Sequence, residues 1–279
     1  MDTEEIKQTV KGRYGQCVDA GGVKESCCPS EAPKNLSFAA EHVLYSKEEL
    51  SLVPEASLSL SKGCGNPTGF ANLKSGEIVV DFGCGAGIDV ILAAHKVGGN
   101  GRVIGIDFTD QMIEKAKQAI ADSGLSNSIE LIVCDMEELN LKDGFADVVI
   151  SNCVINLCAD KDAVYSEAFR ILKPGGRLAI SDIIYTESID SQVKERFQST
   201  WAGCVGGTIE KEKYFEIIRK VGFSEIEIVA IHPLPSTELE TMVCCPGPEF
   251  TPTPAKEDVD SVQDKVASIK FVALKPACN

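Results

Sequence analysis

Twelve cysteines stand among 279 residues, and three of them occupy settings that suit chemistry better than packing. Cys64 lies in Ser61-Lys62-Gly63-Cys64-Gly65-Asn66-Pro67, a run of turn formers that predicts a loop. Cys153 closes an apolar run that starts near residue 146, and glycines bracket Cys204 in Trp201-Ala202-Gly203-Cys204-Val205-Gly206-Gly207. Soft thiolates select thiophilic centres, and three of them make a pyramidal site with the fourth direction free. A second group of residues points to a nucleoside-bearing ligand. In Val79-Val80-Asp81-Phe82-Gly83-Cys84-Gly85-Ala86-Gly87-Ile88-Asp89, β-branched residues run into three alternate glycines, which predicts strand, tight turn and helix. The spacing is G-x-G-x-G with Asp81 just before it, not the G-x-G-x-x-G of nicotinamide binding, because Ile88 stands three residues after Gly85. Twenty residues beyond Gly87, Asp107 ends a second strand-like run, where its carboxylate can accept both hydroxyls of a ribose.

The elements that must position these groups alternate. Strands are predicted over about 78–82, 102–107, 129–134, 146–153 and 176–185, with helices near 88–97, 110–123 and 161–172; Asp110, following Thr109, reads as the cap of the second. Such alternation demands a parallel sheet, and right-handed crossovers carry the strand ends to one edge, where ligands bind. The run Leu172-Lys173-Pro174-Gly175-Gly176-Arg177-Leu178 is the turn into the fifth strand. Before this core, a helix over 2–16 closes near Tyr14-Gly15, an irregular stretch carries the pair Cys27-Cys28, and a short helix runs from Ser46 to about Leu50. After it come helices near 190–202 and 210–221, a strand near 223–231, and a last strand from Ser268 to Leu274. Residues 234–266 are then an insertion, and its prolines, acids and Cys244-Cys245 suit a mobile connection. The chain divides into an N-terminal segment 1–72, a ligand-binding core 73–233 and a C-terminal part 234–279.

A net charge of −15 opposes binding to nucleic acid and to anionic membrane surfaces. The start lacks a basic stretch followed by an apolar one, and no apolar run is long enough to span a bilayer, so the chain reads as cytoplasmic. In that compartment its cysteines are thiols at rest. Cys17, Cys84, Cys134 and Cys278 read as small buried hydrophobes, and Cys158 as a bystander. The three histidines, His42, His95 and His232, lie outside the strand ends, so no general base stands out there.

The glycine turn paired with an acidic second strand end resembles the S-adenosylmethionine-dependent methyltransferases. The resemblance implies an α/β, Rossmann-like class I fold with a mostly parallel twisted sheet, to which this chain adds the cysteine-bearing N-terminal segment and the C-terminal insertion. It also implies that Asp81, Gly83, Gly85 and Gly87 face the methionyl part of the cofactor, that Asp107 takes the ribose and that Met112 packs on the adenine. Asp135, beside Met136, would sit by the exocyclic amine, and Asn152 or Cys153 nearest the donor methyl. Trivalent arsenic suits the three thiols, since its lone pair points away from the sulfurs and needs no deprotonation before attack.

Tyr14-Gly15 followed by Cys27-Cys28, then Gly63-Cys64-Gly65-Asn66-Pro67, Ser151-Asn152-Cys153-Val154-Ile155-Asn156-Leu157 and Ala202-Gly203-Cys204-Val205, resemble the microbial arsenite methyltransferases more narrowly. That resemblance implies arsenic binding by Cys153 and Cys204, with Cys64 joining them or forming a disulfide during turnover, and a redox partner at Cys27 or Cys28. It further implies arsenite or its thiol conjugates as substrate, and thioredoxin or glutathione as the thiol reductant. Two other readings stay open: methylation of a small organic acceptor, and a non-catalytic thiol site for arsenic or zinc.

Overall fold

The computed structural model describes residues 2–19, 45–61, 63–243 and 254–277; Cys27, Cys28, His42, Cys244, Cys245 and Cys278 lie outside them. Helices α1 (Thr3–Asp19), α2 (Lys47–Ser51), α3 (Glu55–Leu58) and α4 (Pro67–Phe70) precede the first strand. The core then runs β1 (Ile78–Phe82), α5 (Ile88–Val97), β2 (Arg102–Asp107), α6 (Asp110–Asp122), β3 (Ile129–Val133), β4 (Ala146–Asn152), α7 (Lys161–Ile171) and β5 (Leu172–Tyr185). It continues with α8 (Ser191–Phe197), α9 (Lys211–Val221), β6 (Ser224–Pro233), α10 (Ser236–Val243), α11 (Lys256–Val262) and β7 (Val266–Leu274).

The strands lie in the order β3-β2-β1-β4-β5-β7-β6. The first five in sequence are parallel, and β7 inserts antiparallel between β5 and β6. Both faces are covered, which is why these strands read as near-continuous apolar runs. Along them the side chains alternate. Val79, Val103, Val148 and Ala179 pack with α5 and α6, while Val80, Ile104, Val149 and Ile180 pack with α7 and α9. A third cluster caps the carboxyl end of the sheet and joins Ile6 and Val10 of α1 to Cys153, Cys204 and Leu239 of α10. This is the mostly parallel, Rossmann-like α/β fold expected from the sequence.

Several boundaries move for physical reasons. Asp110 is the first helical residue of α6, not its cap; Thr109 takes the cap position without a side-chain bond, and Asp110 pairs with Lys11 at 2.8 Å. The helix expected over 190–202 breaks after Phe197 into a 3-10 turn, Gln198–Gly203, where Thr200 leaves helical geometry. β5 starts at Leu172 and absorbs the Lys173–Gly176 turn as a register shift against β4. The described residues of the insertion 234–266 include α10, α11 and a 3-10 turn, held by buried Leu234, Leu239, Val259 and Val262. Among the described residues, no helix is long and apolar enough to cross a membrane.

One polar chain runs through the core. Tyr165 Oη donates to Tyr214 Oη at 2.7 Å, Tyr214 donates to Asp182 at 2.8 Å, and the Ile183 N–H also donates to Asp182, at 2.9 Å. Burial pushes the Asp182 carboxyl up to about 6, against the pull of these hydrogen bonds. A carboxyl with a raised folded pKa binds its proton more tightly when folded, so it favours folding at low pH and loses that contribution as pH rises from about 4 to about 6. Asp182→Asn keeps an acceptor for Ile183 and removes the titration. Its stability relative to the unmutated chain should therefore improve across that window by up to about 3 kcal/mol and stay level above it. Urea unfolding at stepped pH measures this, and a difference that does not change with pH would refute it.

Candidate active site

The glycine turn connects β1 to α5, and Gly83, Gly85 and Gly87 all adopt positive φ, at 74°, 50° and 95°. A side chain at Gly85 would project into open space rather than protein, so the bare backbone there faces a cavity. Gly83, Gly85, Asp107, Met112, Met136, Asn152 and Cys153 line that cavity at the carboxyl ends of β1, β2 and β4, where the strand order reverses. Asp107 accepts the Gly85 N–H at 3.0 Å and the Thr109 N–H at 2.9 Å, one on each oxygen. The Thr109 side chain and the Phe108 N–H also hydrogen-bond to this carboxyl, which lines the cavity at the end of β2.

Three carboxylates crowd this edge. Asp81 is fully buried and its Oδ2 has no hydrogen-bond partner. Burial, with the charges of Asp89 and Asp107, holds its pKa well above the usual carboxylate range. Burial also raises Asp107, and it pushes Asp89 up to about 6 even though Asn152 and Tyr45 donate hydrogen bonds to it. Among the described residues none of the three forms a salt bridge, so a positively charged ligand would favour their ionised forms.

The fold brings Cys64, Cys153 and Cys204 together beside this cavity. Cys153 is 3% exposed and Cys204 4%. Hydrogen bonding of the Cys153 thiol to those of Cys204 and Cys64, together with burial, raises its pKa, so it rests protonated. The Cys204 thiol also donates to the Cys153 carbonyl at 3.3 Å. Cys153 and Cys204 have φ of 60° and 72°, and only Asn72 and Glu225 share a positive φ among the described non-glycine residues. Left-handed backbone at a β-carbon-bearing residue is costly, and such strain concentrates at functional sites. The thiols meet pairwise at Cys153: among the described residues, no three His, Cys, Asp or Glu side chains are grouped as a metal site.

Asn152 ties the thiol loop to the cavity wall. Its Oδ1 accepts the Cys64 N–H at 3.0 Å and the Gly65 N–H at 3.1 Å. Its Nδ2 lies 2.8 Å from the Gly65 carbonyl, 2.9 Å from Tyr45 Oη and 3.0 Å from Asp89 Oδ2. The Cys64 carbonyl accepts from Ser268 Oγ of β7 at 2.9 Å, and the Cys64 sulfur lies 3.6 Å from Ser181 Oγ.

Other expected residues lie elsewhere. The Asp135 carboxylate does not line the cavity; it caps its own turn at the Glu137 N–H and pairs with Lys7 of α1 at 2.6 Å. Gly87 and Asp81 do not line the cavity either. Cys84 is buried against α5 and also lines the cavity, Cys134 is half-buried rather than buried, and burial holds the Cys158 thiol far above its usual range. His95 and His232 are exposed and neither lines the cavity. Tyr45 and the α1 residues Val10 and Tyr14, which do line it, were missed. For α1 a signal existed, since Ile6, Val10, Tyr14 and Val18 recur every four residues. A lone Tyr45 gave none.

A family model described as a methyltransferase domain matches residues 73–222. An arsenite methyltransferase of Halobacterium salinarum is 36% identical, over 81% of this chain and 59% of that protein. Another, of Aquipseudomonas alcaligenes, is 31% identical over 84% of this chain and 66% of its own length. The chain thus spans about two thirds or less of these relatives. Among solved structures, an arsenic(III) S-adenosylmethionine methyltransferase of Chlamydomonas reinhardtii superposes with a TM-score of 0.67 at 28% identity, covering 82% of this chain and 72% of that one.

The site geometry makes a steric prediction. A Cβ at Gly65 would overlap Ser181 Oγ and Cβ, so Gly65→Ala should cost about 1–3 kcal/mol in urea unfolding. Combining it with Ser181→Gly should recover much of the coupling; strictly additive effects would show that the loop does not pack as described.

Proposed function

The chain belongs to the methyltransferase-domain family, and from that premise we propose that it transfers methyl groups from S-adenosylmethionine to trivalent arsenic held by cysteine thiolates. One observation carries the reading: Cys64, Cys153 and Cys204, far apart in sequence, meet beside the glycine turn, and two of them sit on left-handed backbone. The similarity to arsenite methyltransferases supports it.

The cavity residues fit the cofactor. Gly85 leaves room for close approach, Asp107 presents a carboxyl group to the cavity for a ribose, and Met112 and Met136 offer apolar surface for a base. The unpaired Asp81 oxygen and its neighbouring carboxylates suit a ligand that carries positive charge. When bound, S-adenosylmethionine supplies an electrophilic methyl group on a sulfonium.

The thiols handle the acceptor. Each exchange replaces an arsenic–oxygen bond by an arsenic–sulfur bond and releases water, the thiol proton leaving with the hydroxyl. Cys153, which meets the sulfurs of both Cys64 and Cys204, is the shared point at which arsenic would bind. Three sulfurs hold arsenic as a pyramid with its lone pair on the open side, so methylation needs no base. Methylation consumes that lone pair, and return to the trivalent state takes two electrons, which two thiols supply by forming a disulfide. Thioredoxin or glutathione then restores the dithiol, as a reducing compartment such as the cytoplasm allows. Within this reading Cys27 or Cys28 is the redox partner.

With isotopically labelled S-adenosylmethionine and arsenite, chromatography should reveal labelled methylarsenicals. Cys153→Ser and Cys204→Ser should each lower the first methylation at least about a hundredfold, while folded Cys84→Ser keeps most of it. Methyl transfer to phenols or amines without arsenite would replace this reading with an organic acceptor. Arsenic binding without consumption of the methyl donor would replace it with sequestration.

A further inference from the structure

Asn152 was expected to serve the cofactor, yet every polar position of its amide is already taken by protein. Two backbone N–H groups, of Cys64 and Gly65, fall on one amide atom, so that atom is the oxygen. A carboxylate, a carbonyl and a phenol oxygen surround the other, so that one is the nitrogen. Both oxygen lone pairs and both hydrogens are engaged, which leaves nothing to offer a ligand. Tyr45 completes the unit, since its hydroxyl donates to both Asp89 oxygens at 3.0 and 3.1 Å while accepting from Asn152. Asp89 lies in the first turn of α5, directly after the glycine turn.

Both N–H groups that Asn152 holds belong to the loop that carries the first thiol. A loop of glycine, asparagine and proline has little side-chain packing of its own to fix it. On the Cys64 side its local order comes from Asn152, from Ser268 at the Cys64 carbonyl and from the close fit of Gly65 on Ser181; farther on, buried Asn66 donates to Glu49 and caps α4. We propose that Asn152, steadied by Tyr45 and Asp89, is a positioning residue that fixes the direction of the Cys64 thiol toward Cys153. This deepens the proposed function and rests on it only in taking Cys64 as a substrate thiol. Asn152 acts through the backbone of Cys64 and touches neither arsenic nor the donor methyl.

Iodoacetamide labelling tests this without arsenic or methyl donor, so it can fail while the methyltransferase reading stands, and the reverse. Peptide mass spectrometry follows Cys64 and Cys204 in the same sample. In Asn152→Ala the Cys64 labelling rate should rise at least about tenfold, because the loop opens locally, while Cys204 changes less than about twofold. Tyr45→Phe, which removes one oxygen and keeps the ring, should move Cys64 in the same direction by about threefold and serves should Asn152→Ala fail to fold. A positioning role also splits the kinetics: in both variants KM for arsenite rises and KM for S-adenosylmethionine stays within about threefold. Unchanged Cys64 labelling in both variants overturns the proposal, as does a rise confined to KM for S-adenosylmethionine, which would make Asn152 a cofactor ligand.

Discussion

Two backbone N–H groups satisfied by one side-chain oxygen, at the end of β4, hold the thiol loop to the sheet. Buried backbone donors must find acceptors, and a loop without regular structure must find them in side chains. Asn152 answers that need because β4 ends there, between the glycine turn on β1 and the carboxyl end of β5. The parallel order of the strands therefore does more than open a crevice. It puts the one amide that can clasp residues 64 and 65 beside the residue, Cys153, with which Cys64 must work.

Backbone strain is the counterpart of this clasp. Cys153 follows β4 with its N–H donated to the Ser181 carbonyl at 2.8 Å, and Cys204 ends a 3-10 turn with its N–H donated to the Trp201 carbonyl at 2.9 Å. Each is locked into left-handed geometry by bonds on either side, so the packing of the sheet end and of α10 sustains a conformation that the residues would not choose alone. The resulting thiols face each other rather than solvent.

Much of this was legible in the sequence. The glycine turn and the strand ends follow from local sterics and short-range periodicity, and Asp107 and Met112 could be placed at the cavity from them, whereas Asp81, expected there too, does not line it. Cys64 and Cys204 stood out by their glycine-rich settings, and Cys153 by closing a strand. Their strain did not, because φ at Cys153 and Cys204 is imposed by distant packing. Asn152 was seen as a strand end, but its amide partners come from residues 45, 64, 65 and 89, which no local pattern connects. Within the insertion 234–266 the helices α10 and α11 were not foreseen, because the spaced apolar residues Leu234, Leu239, Val259 and Val262 are buried only by the completed third cluster. Gly65 read as a turn former, whereas its need for a bare backbone comes from Ser181, more than a hundred residues away.

The placement of β7 between β5 and β6 carries a consequence for the birth of the molecule. Ribosomal synthesis delivers β6 before the strand that must separate it from β5, so the growing chain holds two unpaired edges until residue 266 and its successors appear. Ser268, whose hydroxyl anchors the Cys64 carbonyl, lies 204 positions downstream of it. The thiol centre is thus among the most non-local parts of the fold and assembles late, after the nucleotide-binding half has been made. A nascent chain of this protein passes through a stage in which its glycine turn is complete while its cysteines are still unassembled and open to oxidation.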